Sequence, residues 1–399
     1  MTRKNEAGQA LIFGVVALGL LLIGFTGLGI DIGYMRYEKR LQQSAADNAA
    51  LAGAAEIPFG HSFVGVAGKH GATLDGFTDG ADNVTVTVNN PPESGPHSGD
   101  PNYVEAYVAK VQPTYFMKAL GITTQTVTAR AVAYYGTGIT NSCIFTLGSP
   151  GSGTEGITAN GNPTLNAPNC GIDDNGDLTT NGANLEITAG SVGIVGTDTN
   201  HGGGNVTPKP ITGIAPIGDP LATLTPPAVG SPINFNSNNI IPGSTYKSIS
   251  INNGTVNFPA GTYVVNGSMK INGNATVTGT GVTFYITNGG SLTINGTATV
   301  QLSAPNSGSF AGILFYQDPN DTSSAKIDGT SSSIFQGALY FPKASLDFRG
   351  TGTTFNSDAA YTVIVVEALT LSGNATVNIN SDFSGLSGGS PIHSTVLVE

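Results

Sequence analysis

Any chemistry this sequence performs has to come from two cysteines, five histidines and a thin scatter of carboxylates. A zinc or iron–sulfur centre needs about four ligands, and Cys143 and Cys170 stand apart from the histidines. On an exported chain such an isolated pair is expected to close as a disulfide. His61, His70, His97 and His201 share no ligand spacing. The run Asp173-Asp174-Asn175-Gly176-Asp177 alternates like a calcium loop, but Leu178 occupies the sixth position, where an EF-hand needs glycine. It reads as a turn, and neither a metal nor a cofactor is expected. Polysaccharide cleavage needs a carboxylate pair, or a carboxylate and a base, on one face. Asp318, Asp321, Asp328, Asp347 and Asp358, with Lys326, Lys343 and Arg349, fall mostly in turn-like strings, where Asp serves its own backbone. No catalytic residue is assigned. Tyr316, Tyr340 and Phe348 could form a sugar-binding ledge, yet aromatics recurring along a repetitive chain are expected in its core. The Asn274-Ala275-Thr276 and Asn374-Ala375-Thr376 sequons follow from a recurring corner string and predict glycosylation poorly.

The elements that would hold these residues are read from composition and repetition. Only 10% of the 399 residues are Asp, Glu, Lys or Arg, against about a quarter in ordinary soluble domains, while glycine supplies 56. Such a surface is kept wet by Asn, Thr and Ser. Alternating β-branched residues broken by Gly and Asn favour short strands closed by tight turns, so the chain is expected to be mainly β. The net charge of −11 and the scattered cations exclude a surface that neutralises phosphates, so nucleic acid is no partner.

From residue 142 onward one pattern recurs: a strand, Asn-Gly or a relative, a small residue, and another strand. ISINNGTVNF, MKINGNATVTG, LTINGTATVQL, AKIDGTSSSI and LTLSGNATVNI all carry it. Gly254, Gly273, Gly296, Gly329, Gly350 and Gly373 mark its corners, spaced by 19, 23, 33, 21 and 23 residues. That period predicts a solenoid, in which stacked coils share a core that no single coil could bury. A right-handed parallel β-helix over residues 142–385 is expected, with the Pro/Gly-rich stretch 202–242 as a strap and 386–399 as a tail. The strands TYVV, VTFYI, GILFY, ALYF and VIVV are more continuously hydrophobic, as expected of parallel strands buried on their inner face and partly covered outside.

Residues 10–30, ALIFGVVALGLLLIGFTGLGI, contain no charge and as a helix would match the ~30 Å hydrocarbon core. The run is longer than a signal-peptide core and leads into charged helix, which favours retention as a transmembrane anchor. Residues 31–55 are Ala-rich and continue the helix outside the bilayer. Gly29 and Gly33, at i, i+4, are the expected helix-packing positions. Between the anchor and residue 136, VTVTV and YVEAYVAKV alternate as half-buried strands, followed by a short helix near Pro113 and a strand TVTARAVAYY, which makes residues 56–136 a small α+β module.

GQALIF at residues 8–13, GIDIGY at 29–34 and RLQQSAADNAALAGAA at 40–55 resemble the N-terminus of Tad (Flp) pilus-assembly proteins of the TadE/TadG-like group. PTYFMKALGITTQTVTARAVAYY looks like the segment that closes the small, pilin-like module of that group. Where true prepilins carry glutamate at the fifth position after the processed glycine, this chain has Phe13, departing from the pattern a prepilin peptidase reads. TadG-like proteins can also carry a von Willebrand A domain with a D-x-S-x-S metal motif. Asp321-Thr322-Ser323-Ser324-Ala325 lacks the last serine, so that site is not expected. The resemblance implies a single-pass protein of the bacterial cytoplasmic membrane. Residues 1–9 are expected in the cytoplasm, because a disulfide-bearing, Gly/Asn/Thr-rich bulk belongs in an oxidising compartment. The expected function is non-enzymatic: a pilus-assembly or envelope protein whose solenoid is a stalk or adhesive surface. Its expected partners are membrane lipid, other assembly or envelope proteins through the N-terminal helix, and possible surface carbohydrate. The alternatives are a minor pilin-like subunit or tip adhesin, and a carbohydrate-active β-helix enzyme or lectin on a tether.

Overall fold

A computed structural model describes residues 7–57, 60–137, 142–150, 156–328 and 333–399. The chain divides into two compact units, residues 1–136 with 394–399, and residues 137–393.

In the first unit one unbroken helix, α1 (Ala7–Ala55), joins the apolar segment to the Ala-rich stretch. The alanines have a packing purpose: Ala45, Ala46, Ala49, Ala50 and Ala54 are fully buried. Against them lies a second helix, α2 (His61–Leu74), and both pack on an antiparallel sheet of β1 (Val84–Asn89), β2 (Tyr103–Pro113) and β3 (Thr124–Thr137). Helix α2 is absent from the sequence reading because three glycines in HSFVGVAGKHGATL lower its intrinsic propensity. Packing explains two of them: a Cβ on Gly68 or Gly71 would stand 2.9 Å from the Ala49 carbonyl or 2.8 Å from that of Asn48, whereas Gly65 has nothing within 4 Å. Two further expectations are corrected. The helix near Pro113 is a single 3-10 turn, Met117–Leu120. The expected tail contains a strand, His393–Leu397, that extends the sheet beside β3.

The second unit is a large parallel sheet whose strands pair three elements apart over residues 245–303 and two apart where a single long strand, such as Thr164–Asp174, Ile334–Gly350 or Thr362–Gly373, spans two rows. Val256 stands beside Val277 and Val277 beside Val300, while Ile251, Ile271 and Ile294 form a second apolar row. Each three-strand repeat thus lays its inward residues on those of the next. Aromatics do the same inside: Tyr246, Tyr263, Phe284 and Phe315 stack at successive centroid distances of 6.5, 5.4 and 5.6 Å. At one corner the Asn side chains form a ladder, Asn295 donating to Asn272 at 3.3 Å and Asn272 to Asn252 at 3.1 Å.

The order of stacking departs from the order of sequence. Strand Ser142–Thr146 pairs with the following repeat through Thr164–Asp174, but on its other side with Thr362–Gly373, so the last repeat stacks on the first. From that middle position the chain winds to one end of the sheet at Ile211–Thr212 and resumes at the other with Thr245–Tyr246. Residues 205–207 and 211–212 are paired strands, so the strap begins later than expected, after Thr212. Along its path Leu221, with the half-buried Ile217 and Leu224, covers the outer face of the all-buried strands, over Phe145, Tyr285, Tyr316, Tyr340 and Val365. Tyr316 donates to the Leu224 carbonyl at 2.8 Å, Tyr340 to the Asp219 carboxylate at 2.7 Å, and the Asn175 amide brackets the Ile217 backbone at 2.8 and 2.9 Å.

Candidate functional site

Up to Asp31 the described side chains of α1 are apolar or small and largely exposed, Val15, Leu18, Leu22 and Phe25 being 59–72% exposed. Among the described residues this is the one helix long and apolar enough to cross a membrane. Asp31 is the first charge after the run and is 1% exposed. Its carboxylate accepts the backbone N–H of Tyr115 at 3.0 Å, Phe116 at 2.9 Å and Met117 at 2.7 Å. Charge-assisted bonds of this kind pin the β2–β3 connection to the helix. One turn earlier the Phe116 ring lies where a Gly27 side chain would be. One to two turns later the buried Glu38 accepts from the Gln112 amide at 2.8 Å. Gly29 and Gly33, the positions expected to admit another helix, have nothing of this chain within 4 Å, while Gly27 is where the chain's own Phe116 comes close. The signal available in the sequence was Asp31 itself, an acid placed directly after an apolar run.

A second buried charge sits on the sheet. Glu105 receives Arg130 Nε at 2.7 Å, Ser94 Oγ at 2.5 Å, the Asn89 amide at 3.2 Å and the Glu93 N–H at 3.1 Å. Burial alone would raise its pKa, but the bonds from Ser94, Arg130, Asn89 and Glu93 outweigh it and hold the carboxyl at about 2.

In the second unit Cys143 and Cys170 form the disulfide, with Cα atoms 5.4 Å apart on neighbouring repeats. The corner glycines Gly254, Gly273, Gly296 and Gly373 have φ between 63° and 77°. Gly329 lies outside the described residues. Gly350 is not in the left-handed region; Gly352, at φ 72°, makes that bend. The calcium-like run is structural: Asp174 is buried and accepts Thr146 Oγ1 and the Gly176 N–H, while Asp177 accepts the Thr197 N–H at 2.6 Å. Among the described residues no three His, Cys, Asp or Glu side chains converge for a metal.

The other polar residues divide. Asp318 accepts from Tyr285 at 2.7 Å and Thr287 at 2.9 Å, and Asp321 accepts the Gly289 N–H at 2.9 Å. Asp358 meets Ser357 at 3.3 Å. Lys343 lies in a different recess, beside Asp219 and Glu367. Lys326, Asp328 and Arg349 do come together, lining a shallow groove with Ser291, Thr293 and Asn295, and Arg349 pairs with Asp347 at 2.6 Å. The aromatics are buried, as expected of core residues: Tyr316, Tyr340 and Phe348 are each at most 1% exposed, the tyrosines under the strap and Phe348 inside the repeats.

Helix α1 is thus the element in which an exposed apolar half and a buried packing half are continuous. Residues 8–56 match the Tad family model, putative Flp pilus-assembly TadE/G-like. The Tad segment therefore coincides with α1 almost residue for residue, from the exposed apolar turns through Asp31 to the alanines under α2. The remainder of the module and the whole parallel sheet lie outside the match. No curated protein and no solved structure matches the chain.

Proposed function

We propose that the chain is a non-enzymatic Tad/Flp-type pilus-assembly or cell-envelope protein, held in the bacterial cytoplasmic membrane by residues 10–30, with residues 1–9 cytoplasmic and the remainder outside. The observation that carries this reading is the division of one Tad-type helix at Asp31, exposed and apolar before it, packed into a folded module after it. An apolar stretch of that length is stable in hydrocarbon, where a helix satisfies its own backbone. The repeats, wound as a right-handed β-helix, serve as a rigid stalk or contact surface for other assembly or envelope proteins. The carboxylates at Asp174, Asp318 and Asp321, committed to bonds within the fold, support a structural role over a catalytic one.

The test is protease protection in spheroplasts. An N-terminal epitope should survive external protease while the sheet unit is digested or released; a protected C-terminus with a cleaved N-terminus overturns the orientation. Loss of the whole chain in a carbonate wash overturns the anchor. A second reading, a lectin on the same tether, is favoured by the polar groove at Lys326, Asp328 and Arg349. Retention on immobilised envelope polysaccharide that is lost in Arg349→Ala would support it.

A further inference from the structure

The connection from β2 to β3 is built to hold a shape and yet presents apolar residues outward. Three consecutive N–H groups, those of Tyr115, Phe116 and Met117, converge on Asp31. Its two ends are closed by the Thr114 N–H on the Thr123 carbonyl at 3.0 Å and by Thr114 Oγ1 on the Ile122 carbonyl. Gly121, at φ 85°, ends the 3-10 turn. Tyr115 packs edge-on against Tyr34 of α1, with ring centroids 5.8 Å apart. A loop so tied has no need of apolar side chains at its surface, but Tyr115 is 60%, Phe116 44%, Leu120 77% and Ile122 44% exposed.

Their level along α1 identifies what covers them. Phe116 lies against Gly27, four residues before Asp31, which at 1.5 Å per residue is about 6 Å toward the apolar end of the helix. It is therefore beside the last turn of the uncharged run, with exposed Phe25 and Ile30 on the same stretch of helix. Tyr34, Tyr37 and Tyr115 lie at or just beyond the boundary, where tyrosine is favoured in the headgroup layer. The exposed Lys118 has a stem long enough to keep its ammonium among lipid phosphates while neighbouring residues sit deeper.

We propose that residues 115–122 form a second membrane contact, a loop that dips into the leaflet beside α1 and takes phospholipid as its partner, with Phe116, Leu120 and Ile122 among the upper acyl carbons. A single helix leaves the module free to tilt and roll about its anchor; a second point of insertion one strand connection away removes that freedom. The inference rests on the reading of residues 10–30 as the membrane span.

The test uses the full chain in phosphatidylcholine–phosphatidylglycerol vesicles, its own cysteines kept in their disulfide. Single cysteines, Leu22→Cys, Leu120→Cys and Ser98→Cys, are labelled with an environment-sensitive dye and challenged in separate vesicles with lipid carrying a spin label high on the acyl chain, the depth expected of position 120, or near its end, the depth expected of position 22. Ser98 is exposed in the loop at the opposite end of β2. The expected result is quenching at position 120 to at least half the extent seen at position 22, and none at 98. Quenching at 22 without quenching at 120 overturns the loop contact and leaves the span standing. A blue-shifted but unquenched probe at 120 in native membranes also overturns it, because a protein rather than lipid then covers the loop. If position 22 is not quenched, the span fails and the loop contact with it.

Discussion

Glu105 is charged, fully buried and surrounded by donors, so its protonation is coupled to folding. Its carboxyl is held at about 2 in the folded chain against 4.5 for a free glutamate. Because the folded value is the lower one, the stabilisation is complete above pH 4.5 and is lost as pH falls toward 2, roughly 3 kcal/mol in all. Hydrogen-exchange protection of the β2 and β3 amides, corrected for intrinsic rate, should therefore fall across that interval. In Glu105→Gln protection should be lower at neutral pH and nearly flat with acid; an equal acid dependence in the variant would contradict the assignment. The corner glycines separate two costs. Valine at Gly254 or Gly373 meets the same positive-φ strain, of order 1–3 kcal/mol. At Gly373 a Cβ also collides with the Gly350 carbonyl of the next corner, whereas at Gly254, in an end repeat, nothing lies within 4 Å. Gly373→Val should lower the urea midpoint of the sheet unit more than Gly254→Val, and the reverse order would contradict the stacking of corners.

At the scale of elements, packing decides where local preference is weak. The glycines of α2 argue against a helix until the alanine face of α1 is placed beside them, when two of them, Gly68 and Gly71, become the condition for close approach. The strands around Val282–Ile286 and Ile313–Gln317 are buried throughout because the repeats fill one face and the other is closed over, in part by the strap. The disulfide ties one strand to the repeat after it across a separation of 27 residues. Closing a loop of that size stabilises by about 3.5 kcal/mol on the chain-entropy model. Reduction and alkylation, or Cys143→Ser with Cys170→Ser, should lower the urea midpoint of the sheet unit by that order; a change below experimental error would show that the neighbouring repeats hold the loop unaided.

For the whole molecule, the order of stacking decides which parts of the chain hold each other. The ladder of residues 364–366 on 144–146 and of 368–373 on 156–161 joins the last repeat to the first, so the sheet unit is held together by contacts between the two halves of the chain. A protease site introduced at residues 228–231, in an exposed part of the strap, should yield two fragments that co-elute in native buffer and separate only in denaturant. Separation without denaturant would mean that this ladder is not formed.

The sequence by itself determined what depends on local pattern. The uncharged run of residues 10–30, the alternation in VTVTV and YVEAYVAKV, the Asn-Gly corners at Gly273 and Gly296 and the Ser-Gly corner at Gly373 are local signals, and the helix, the strands and the left-handed bends stand where they fall. The Tad signature at residues 8–56 is likewise contiguous. What the tertiary structure decided is which distant residues meet. Asp31 lies some eighty residues from the N–H groups it binds, and Gly27 lies about ninety from the Phe116 ring that covers it. Strand His393–Leu397 joins β3, and the repeat at Thr362–Gly373 lies on the one at Ser142–Thr146. Periodicity records which face of a strand is apolar; it carries no record of the neighbour that covers that face, because any apolar ladder in register satisfies the same pattern. The aromatic row shows the same limit: Tyr316 and Tyr340 would be a sugar ledge if the strap ran elsewhere, and are buried because Leu221 and Leu224 lie over them.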